Sequence, residues 1–383
     1  MEAVPLYKED CLDIFKVGVV GGGAMGSGLA ALIARKGVPV VVKEILPELA
    51  EQAQERIYGK FKGWCDRGKI SESQLNQFRA MVSVTYRWED CKDVDLLIEA
   101  VSEKMDVKKK VFSDADKFLP PHVVFASNTS ALSISEMAES VSDARKPQVV
   151  GLHFFNPPTQ MPLVELIATA KASEEALGAV ADFAANTLGK TVIRVKECPG
   201  FLVNRLLMPY LNEATVLLME TKLTPEQIDA EAKNFGWPMG PFTLLDMLGL
   251  DVAAEVADIL QRGYGERAKF SPILRKLVDL KRFGVKSGAG FYGDDVPSVI
   301  DIILENYPDS RSKDVSAADG FRRMMAGLVN EAVLALEEGV ASAEDIELGC
   351  LYGIGFPLAR EGPLHWAQKN GLLAKPIFGD SGW

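Results

Sequence analysis

Residues 16–44 read KVGVVGGGAMGSGLAALIARKGVPVVVKE, and this stretch decides the fold of the first half of the chain. The apolar run 16–20 predicts a short buried strand. It passes directly into Gly21-Gly22-Gly23-Ala24-Met25-Gly26 and then into an alanine-rich helix over 27–36. Each glycine of the spacing has its own task. Gly21 permits a tight turn, Gly23 lets a pyrophosphate approach the backbone, and Gly26 lets the helix pack on the strand. Ala24 and Met25 stand where the helix N-terminus offers open N–H groups and a positive dipole end. A second strand over 38–42 ends at Glu44, about 20 residues past the glycines, where an acid binds ribose hydroxyls and repels a 2′-phosphate. Lys43 beside it blurs that discrimination slightly.

Strand, glycines, helix, strand and acid in this order predict a dinucleotide site, for NAD rather than NADP, in an α/β Rossmann-type domain over 1–198. Residues 47–80 interrupt the alternation as a helical pair carrying Arg56, Lys60, Lys62, Arg67 and Lys69. This is either a solvated face or a basic arm for a phosphate-bearing substrate. Alternation resumes with strands over 81–84 and 94–98, a helix opened by Glu103 and Lys108 that runs to Phe118, and a strand over 123–126 ending in Ser127-Asn128-Thr129-Ser130. Ligands of open parallel sheets sit beyond the carboxyl ends of strands, so these ends share one crevice with His153. The hydroxyls also suit a helix cap for the segment from Ser133.

The stretch 151–167, GLHFFNPPTQMPLVELI, starts as an apolar strand with a polar tip, His153 and then Asn156. Pro157 and Pro158 force a turn. A second apolar run, 161–167, carries one charge, Glu165. Two neighbouring strands would bring histidine and carboxylate together, which fixes the imidazole tautomer and makes the other nitrogen a better base. A structural histidine at a strand end is the alternative. A helix over 174–188 and a strand over 191–195 complete the domain.

Beyond Cys198-Pro199-Gly200-Phe201 helical periodicity takes over. Asn204 opens an amphipathic helix and is a candidate polar contact toward the first domain, or a cap. The Gly-rich loop 281–292 carries Lys286, placed for a negative ligand. An internal repeat is visible: Asn212-Glu213-Ala214 recurs as Asn330-Glu331-Ala332, the segment 223–229 as 341–347, Gly236-Trp237-Pro238 as Gly355-Phe356-Pro357, and Gly240-Pro241 as Gly362-Pro363. This predicts two all-α helical domains related by internal repeat, 199–308 and 309–383. The second has Arg322 or nearby residues where Asn204 stands and no preceding His–Glu pair, so a structural, covering role is expected of it.

A net charge of −11 argues against general nucleic-acid binding, and an anionic ligand would need a local basic patch. Cys11, Cys65, Cys91, Cys198 and Cys350 are scattered with no CxxC pair, so neither a metal site nor a disulfide framework is expected. A reducing, cytoplasmic setting fits. The N-terminus is acidic without an apolar core, the end GDSGW is not a peroxisomal address, and no apolar run is long enough for membrane insertion.

With GGGAMGSGLA, IEAVSEKMDVKKKVF, ASNTSALSI, GLHFFNPPTQMPLVELI, CPGFLVNRLLMPYLNEA, PMGPFTLLDMLGLD and KSGAGFY in order, the chain resembles the L-3-hydroxyacyl-CoA dehydrogenases of fatty-acid β-oxidation, from about Val17 to the C-terminus. The resemblance implies NAD-dependent oxidation of (S)-3-hydroxyacyl-CoA to 3-oxoacyl-CoA. His153 would be the base and Glu165 its partner, with Ser130 and Asn204 touching substrate and Asn156, Glu103, Lys108 and Lys286 on the nicotinamide and ribose side. Residues 47–80 match the arm that meets coenzyme A, without individual contacts. The doubled helical unit is most similar to the dehydrogenase half of multifunctional β-oxidation proteins. About fifteen residues precede the first strand, so no hydratase activity is expected. Because the short enzymes dimerise through the helical domain, an internal pseudo-dimer implies a monomer, with a homodimer as the alternative. Two other functions share these motifs: a dehydrogenase of a free hydroxy acid or sugar acid, against which the arm argues, and a non-catalytic structural member, against which the complete residue set argues.

Overall fold

The computed structural model describes residues 12–294, 297–373 and 377. The expectations for Cys11 and for both chain ends lie outside these residues. The chain divides into two compact units, up to Glu197 and from Cys198 onward.

The first unit is built on one eight-stranded sheet. Its strands are β1 (Val17–Val20), β2 (Val40–Lys43), β3 (Val82–Thr85), β4 (Leu96–Glu99), β5 (Val124–Ser127), β6 (Val149–Phe154), β7 (Leu163–Ala168) and β8 (Thr191–Lys196). The order is β3-β2-β1-β4-β5-β6-β7-β8. Neighbours run parallel through β6; β7 turns back antiparallel, and β8 runs parallel to β7. The strand sequences are nearly continuous Val, Leu and Ile because helices cover both faces of such a sheet. Those helices are α1 (Ala24–Arg35), α2 (Pro47–Asp66), α3 (Glu72–Ala80), α4 (Met105–Phe118), α5 (Ile134–Ala138) and α6 (Glu174–Asp182). The order reverses between β1 and β4, the switch point where a crevice opens above the strand ends.

Two local expectations are corrected. The helix expected over 174–188 is α-helical only to Asp182 and finishes as a π-turn, Phe183–Thr187, in which the Leu188 amide donates to the Phe183 carbonyl. The wider turn keeps both Phe183 and Leu188 buried. Glu103 does not open a helix: α4 starts at Met105, and the Glu103 carboxylate serves the loop after β5 instead.

The second unit is helical: α7 (Val203–Glu220), α8 (Pro225–Phe235), α9 (Pro241–Leu248), α10 (Leu250–Tyr264), α11 (Pro272–Asp279), α12 (Val299–Asn306), α13 (Ala317–Glu337), α14 (Ala343–Gly349) and α15 (Pro363–Lys369). Residues 199–308 and 309–383, expected as two domains, lie together in this one unit, with α7 packed along α13. Asp229 on α8 and Glu347 on α14 each accept hydrogen bonds at the start of a later helix. Asp229 accepts the amides of Phe242 and Thr243 at the start of α9, the Thr243 hydroxyl and the Tyr292 hydroxyl. Glu347 accepts the His365 amide at the start of α15, at 2.7 Å. Its Oε2, however, is buried with no hydrogen-bond partner among the described residues.

Burial therefore pushes the Glu347 carboxyl up to about 8. An acid whose folded value lies above its unfolded one binds a proton more tightly in the folded state. Its favourable contribution is complete below the unfolded value of 4.5 and is lost as pH rises toward 8. The melting temperature is expected to fall across this window, and Glu347→Gln is expected to flatten the fall. Thermal melts of both proteins from pH 5 to 8 check this; parallel slopes would contradict it.

Candidate active site

The turn at Pro157 and Pro158 folds β7 back on β6 in a register that puts His153 opposite Glu165. Their side chains meet at 2.6 Å, imidazole Nδ1 to carboxylate Oε2. Both are buried. The Phe155 ring packs on the imidazole, 4.5 Å between centroids. Asn128 Oδ1 accepts the Phe154 amide at 2.9 Å and so ties the loop after β5 to the tip of β6.

A second cluster joins the ends of β4 and β5 to α4. Lys108 Nζ donates to both oxygens of Glu99, at 2.8 and 3.0 Å, and lies 3.1 Å from Glu103. Lys108 is 1% exposed, so its ammonium depends on these carboxylates in place of water. Ser127 Oγ donates to Glu99 at 2.5 Å. Glu103 in turn accepts the Thr129 hydroxyl and, at 2.9 Å, the Ser130 amide. The anticipated residues Glu103, Lys108 and Ser130 are thus one network. Ser133 caps α5 separately, accepting the Glu136 amide, so cap and cluster use different serines.

At the glycine-rich turn, Gly21 adopts φ 96°, and a Cβ on Gly26 would lie 1.7 Å from the Gly21 carbonyl, so only glycine permits α1 to start there. A Cβ on Gly23 would meet nothing within 4 Å, which leaves its backbone open to a ligand. α1, which begins at Ala24 and Met25, has no side-chain cap, so its first N–H groups remain for an anion. Glu44 Oε1 accepts the Gly22 amide at 2.6 Å, and Oε2 the Ile45 amide at 3.2 Å. Gly21, Gly23, Glu44, Ile45, Val101 and Val107 line a cavity of about 510 Å³. Glycine turn, open helix end, acid and apolar slot fit a dinucleotide. Lys43 also lines this cavity, its Nζ over the Trp88 ring at 4.6 Å from the centroid, and burial lowers its pKa.

Asn156 is exposed at the start of the turn after β6. Asn204 and Lys286 belong to the second unit, where Asn204 lies in the first turn of α7. Lys286, expected to be placed for a negative ligand, is bonded to Asp251 on α10 at 2.5 Å, so an anion there would compete with a carboxylate of the same unit. Sequence reasoning set Glu99 and Asn128 along the crevice and Arg56 in the basic arm, but gave none of them an individual contact. Glu99 was detectable as the one charge closing the apolar strand LLIE. Arg56 donates from Nη1 to the Gly22 carbonyl at 2.8 Å, a contact that nothing local in the sequence announces.

A dinucleotide-type turn at a switch point, in one unit with a buried histidine–carboxylate pair, is the arrangement of an NAD-binding domain. Residues 16–198 match the model for the 3-hydroxyacyl-CoA dehydrogenase NAD-binding domain, and 200–294 with 321–374 match that for the 3-hydroxyacyl-CoA dehydrogenase C-terminal domain. The chain belongs to the 3-hydroxyacyl-CoA dehydrogenase family. It is 37% identical over 368 residues to the fatty acid oxidation complex subunit alpha of Shewanella amazonensis, and 35% identical over 368 residues to that of Acinetobacter baylyi. These alignments cover 94% and 92% of this chain but 51% of each relative, so the chain spans about half the length of the curated relatives it matches. Among solved structures it is similar to 3-hydroxybutyryl-CoA dehydrogenase of Escherichia coli, with 26% identity, TM-score 0.83, and coverage of 94% of this chain and 92% of that one. It is also similar to FadB2 of M. tuberculosis, with 37% identity, TM-score 0.70, and coverage of 73% and 99%. No helix among the described residues is long and apolar enough to cross a membrane.

If Glu44 sets the cofactor preference, as its place after β2 leads one to expect, its carboxylate would face a 2′-phosphate. Glu44→Ala is expected to narrow the preference for NADH over NADPH by about tenfold or more, corresponding to roughly 1.4 kcal/mol. Fluorescence titration with both nucleotides checks this; an unchanged ratio would move the preference elsewhere.

Proposed function

We propose that the chain catalyses the reversible oxidation of (S)-3-hydroxyacyl-CoA to 3-oxoacyl-CoA, with His153 as general base and Glu165 as its partner. The observation that carries this reading is the buried His153–Glu165 bond at 2.6 Å, in a chain of this family. Glu165 on Nδ1 fixes the tautomer, so Nε2 takes the hydroxyl proton of the substrate, and the buried carboxylate stabilises the imidazolium that forms. NAD, when bound, supplies the hydride acceptor. The first-unit residues Gly21, Gly23, Ala24, Met25, Gly26, Glu44, Glu103, Lys108, Ser130 and Asn156, together with Lys286, would hold it. Ser130 is held through its amide by Glu103, and with Asn204 it would keep the reacting oxygen and the thioester in line.

The inserted helices support coenzyme A as the substrate's carrier. Arg56, Lys60 and Trp64 of α2 and Arg67 just after it line a groove with Pro157 and Gln160 of the turn that follows Asn156. A local basic groove is what a protein of net charge −11 needs to take the phosphates of a coenzyme. A free hydroxy acid gives this groove no task. Free thiols at Cys65, Cys91 and Cys350 accord with a reducing, cytoplasmic setting.

We further infer that 309–383 is a second copy of the helical domain that stands where a partner subunit would. Arg205 pairs with Glu331 at 2.7 Å, and Arg323 pairs with Glu213 at 2.5 Å. Arg323 and Glu331 follow Arg205 and Glu213 at one common offset. Such reciprocity is the mark of an isologous interface, here within one chain. Gly236 and Gly355 agree with it: a Cβ on Gly236 would meet Pro357, and one on Gly355 would meet Pro238. The chain is expected to be monomeric by size exclusion with light scattering; a dimer would count against this.

His153→Ala is expected to lower kcat by about 10²–10⁴-fold, the range of general-base catalysis, while NADH still binds. Glu165→Gln is expected to fall in the same direction by a smaller factor. Steady-state kinetics with NADH titration check both, and near-parental turnover of His153→Ala would sink the assignment.

A further inference from the structure

The two reciprocal ion pairs of the helical unit are alike in sequence and unlike in setting. Arg323 and Glu213 are half-exposed, 39% and 24%. Arg205 is 1% exposed. Its Nε is 2.7 Å from Glu331, its Nη1 is 2.8 Å from Glu338, and its guanidinium lies over the Tyr264 ring at 4.9 Å. Arg267 covers the same ring at 4.5 Å and binds the same two carboxylates at 3.2 and 3.0 Å. Replacing a buried ion cluster with apolar side chains is often neutral or stabilising. The difference between the two pairs is therefore a matter of geometry held at one place.

That place is the entry to α7. Gly200 has φ 74° and Phe201 has φ 52°; Phe201 is fully buried, a large side chain in the left-handed region. Such a conformation persists only where its surroundings over-determine it. Tyr264 donates its hydroxyl to the Pro199 carbonyl at 3.1 Å, and the Arg205 amide donates to the Gly200 carbonyl at 3.2 Å. Asn204 lies between this turn and Arg205. At the matching position of the second stretch stands Arg322, which is 77% exposed and paired with Asp319 on its own helix. Asn204 is the second residue of α7, whereas Arg322 lies further into α13; only the first of these matching positions carries an asparagine, and it is the one next to the clamp.

We propose that Glu331 and Glu338 of α13 are positioning residues for the reaction: through Arg205 they fix the strained turn at 199–204 and thereby the side chain of Asn204. This rests on the reading of Asn204 as a substrate contact. The second helical stretch then sets active-site geometry, beyond covering an apolar face.

The test is steady-state kinetics with acetoacetyl-CoA and NADH on four variants. The pair Glu331→Gln/Glu338→Gln is expected to lose about 10–100-fold in kcat, the scale of a small misplacement of a contact, with NADH affinity unchanged. Glu213→Gln breaks the counterpart pair and is expected to keep parental kcat. Asn204→Ala sets the reference loss. Parental kcat in the Gln pair beside an impaired Asn204→Ala would overturn the clamp alone. Parental kcat in Asn204→Ala would remove the reading beneath it, and the clamp with it. Should the double variant fail to fold, Glu338→Gln decides: it removes one half-exposed carboxylate and is expected to lower kcat several-fold. An unchanged kcat in that variant overturns the proposal.

Discussion

The antiparallel pairing of β6 with β7 is the constraint on which the site depends. A parallel strand in that place would carry its residues toward the crevice from another register, and a slip of one residue would turn Glu165 to the opposite face of the sheet. The ladder as formed sets Glu165 directly across from His153, both buried. Burial matters to the chemistry as much as distance does. A carboxylate screened by solvent would stabilise an imidazolium weakly, whereas one enclosed by strands acts at low effective dielectric. The antiparallel reversal thus does more than end the parallel sheet.

Around that pair the first unit uses buried charge to hold loops. Glu99, Lys108 and Glu103 lash the start of α4 to the ends of β4 and β5, and the Ser130 amide is the last link. Unlike a hydrophobic contact, such a network has directional demands, so it fixes a loop in one arrangement. The cost is that each member depends on the others: removing Glu99 leaves the Lys108 ammonium with a single, partly exposed carboxylate. The helical unit repeats the device with Arg205, Arg267, Glu331 and Glu338.

Much of this was legible in the sequence because the signals are local. The glycine turn, the acid ending β2 and the histidine–proline–carboxylate stretch each read from a few neighbouring residues, and their places in the fold follow from strand and turn chemistry. The proposed repeat shows in the sequence through turn residues that recur, such as Gly236-Trp237-Pro238 and Gly355-Phe356-Pro357. What escaped depends on convergence. Arg56 reaches Gly22 from the inserted α2, and Glu99 gains its role only when α4 returns above β4. Lys286 read as a cation awaiting a ligand because Asp251, its partner, is remote in sequence. The π-turn that ends the helix after Asp182 has no periodicity of its own to announce it.

The most direct measurement is the initial rate of NADH oxidation by this chain with acetoacetyl-CoA, beside free acetoacetate at equal concentration. The account predicts turnover with the thioester and none above background with the acid, because on the proposed reading the His153–Glu165 pair acts as base and the basic groove of α2 takes the coenzyme phosphates. Equal turnover with both, or none with the thioester in protein that binds NADH, would contradict it.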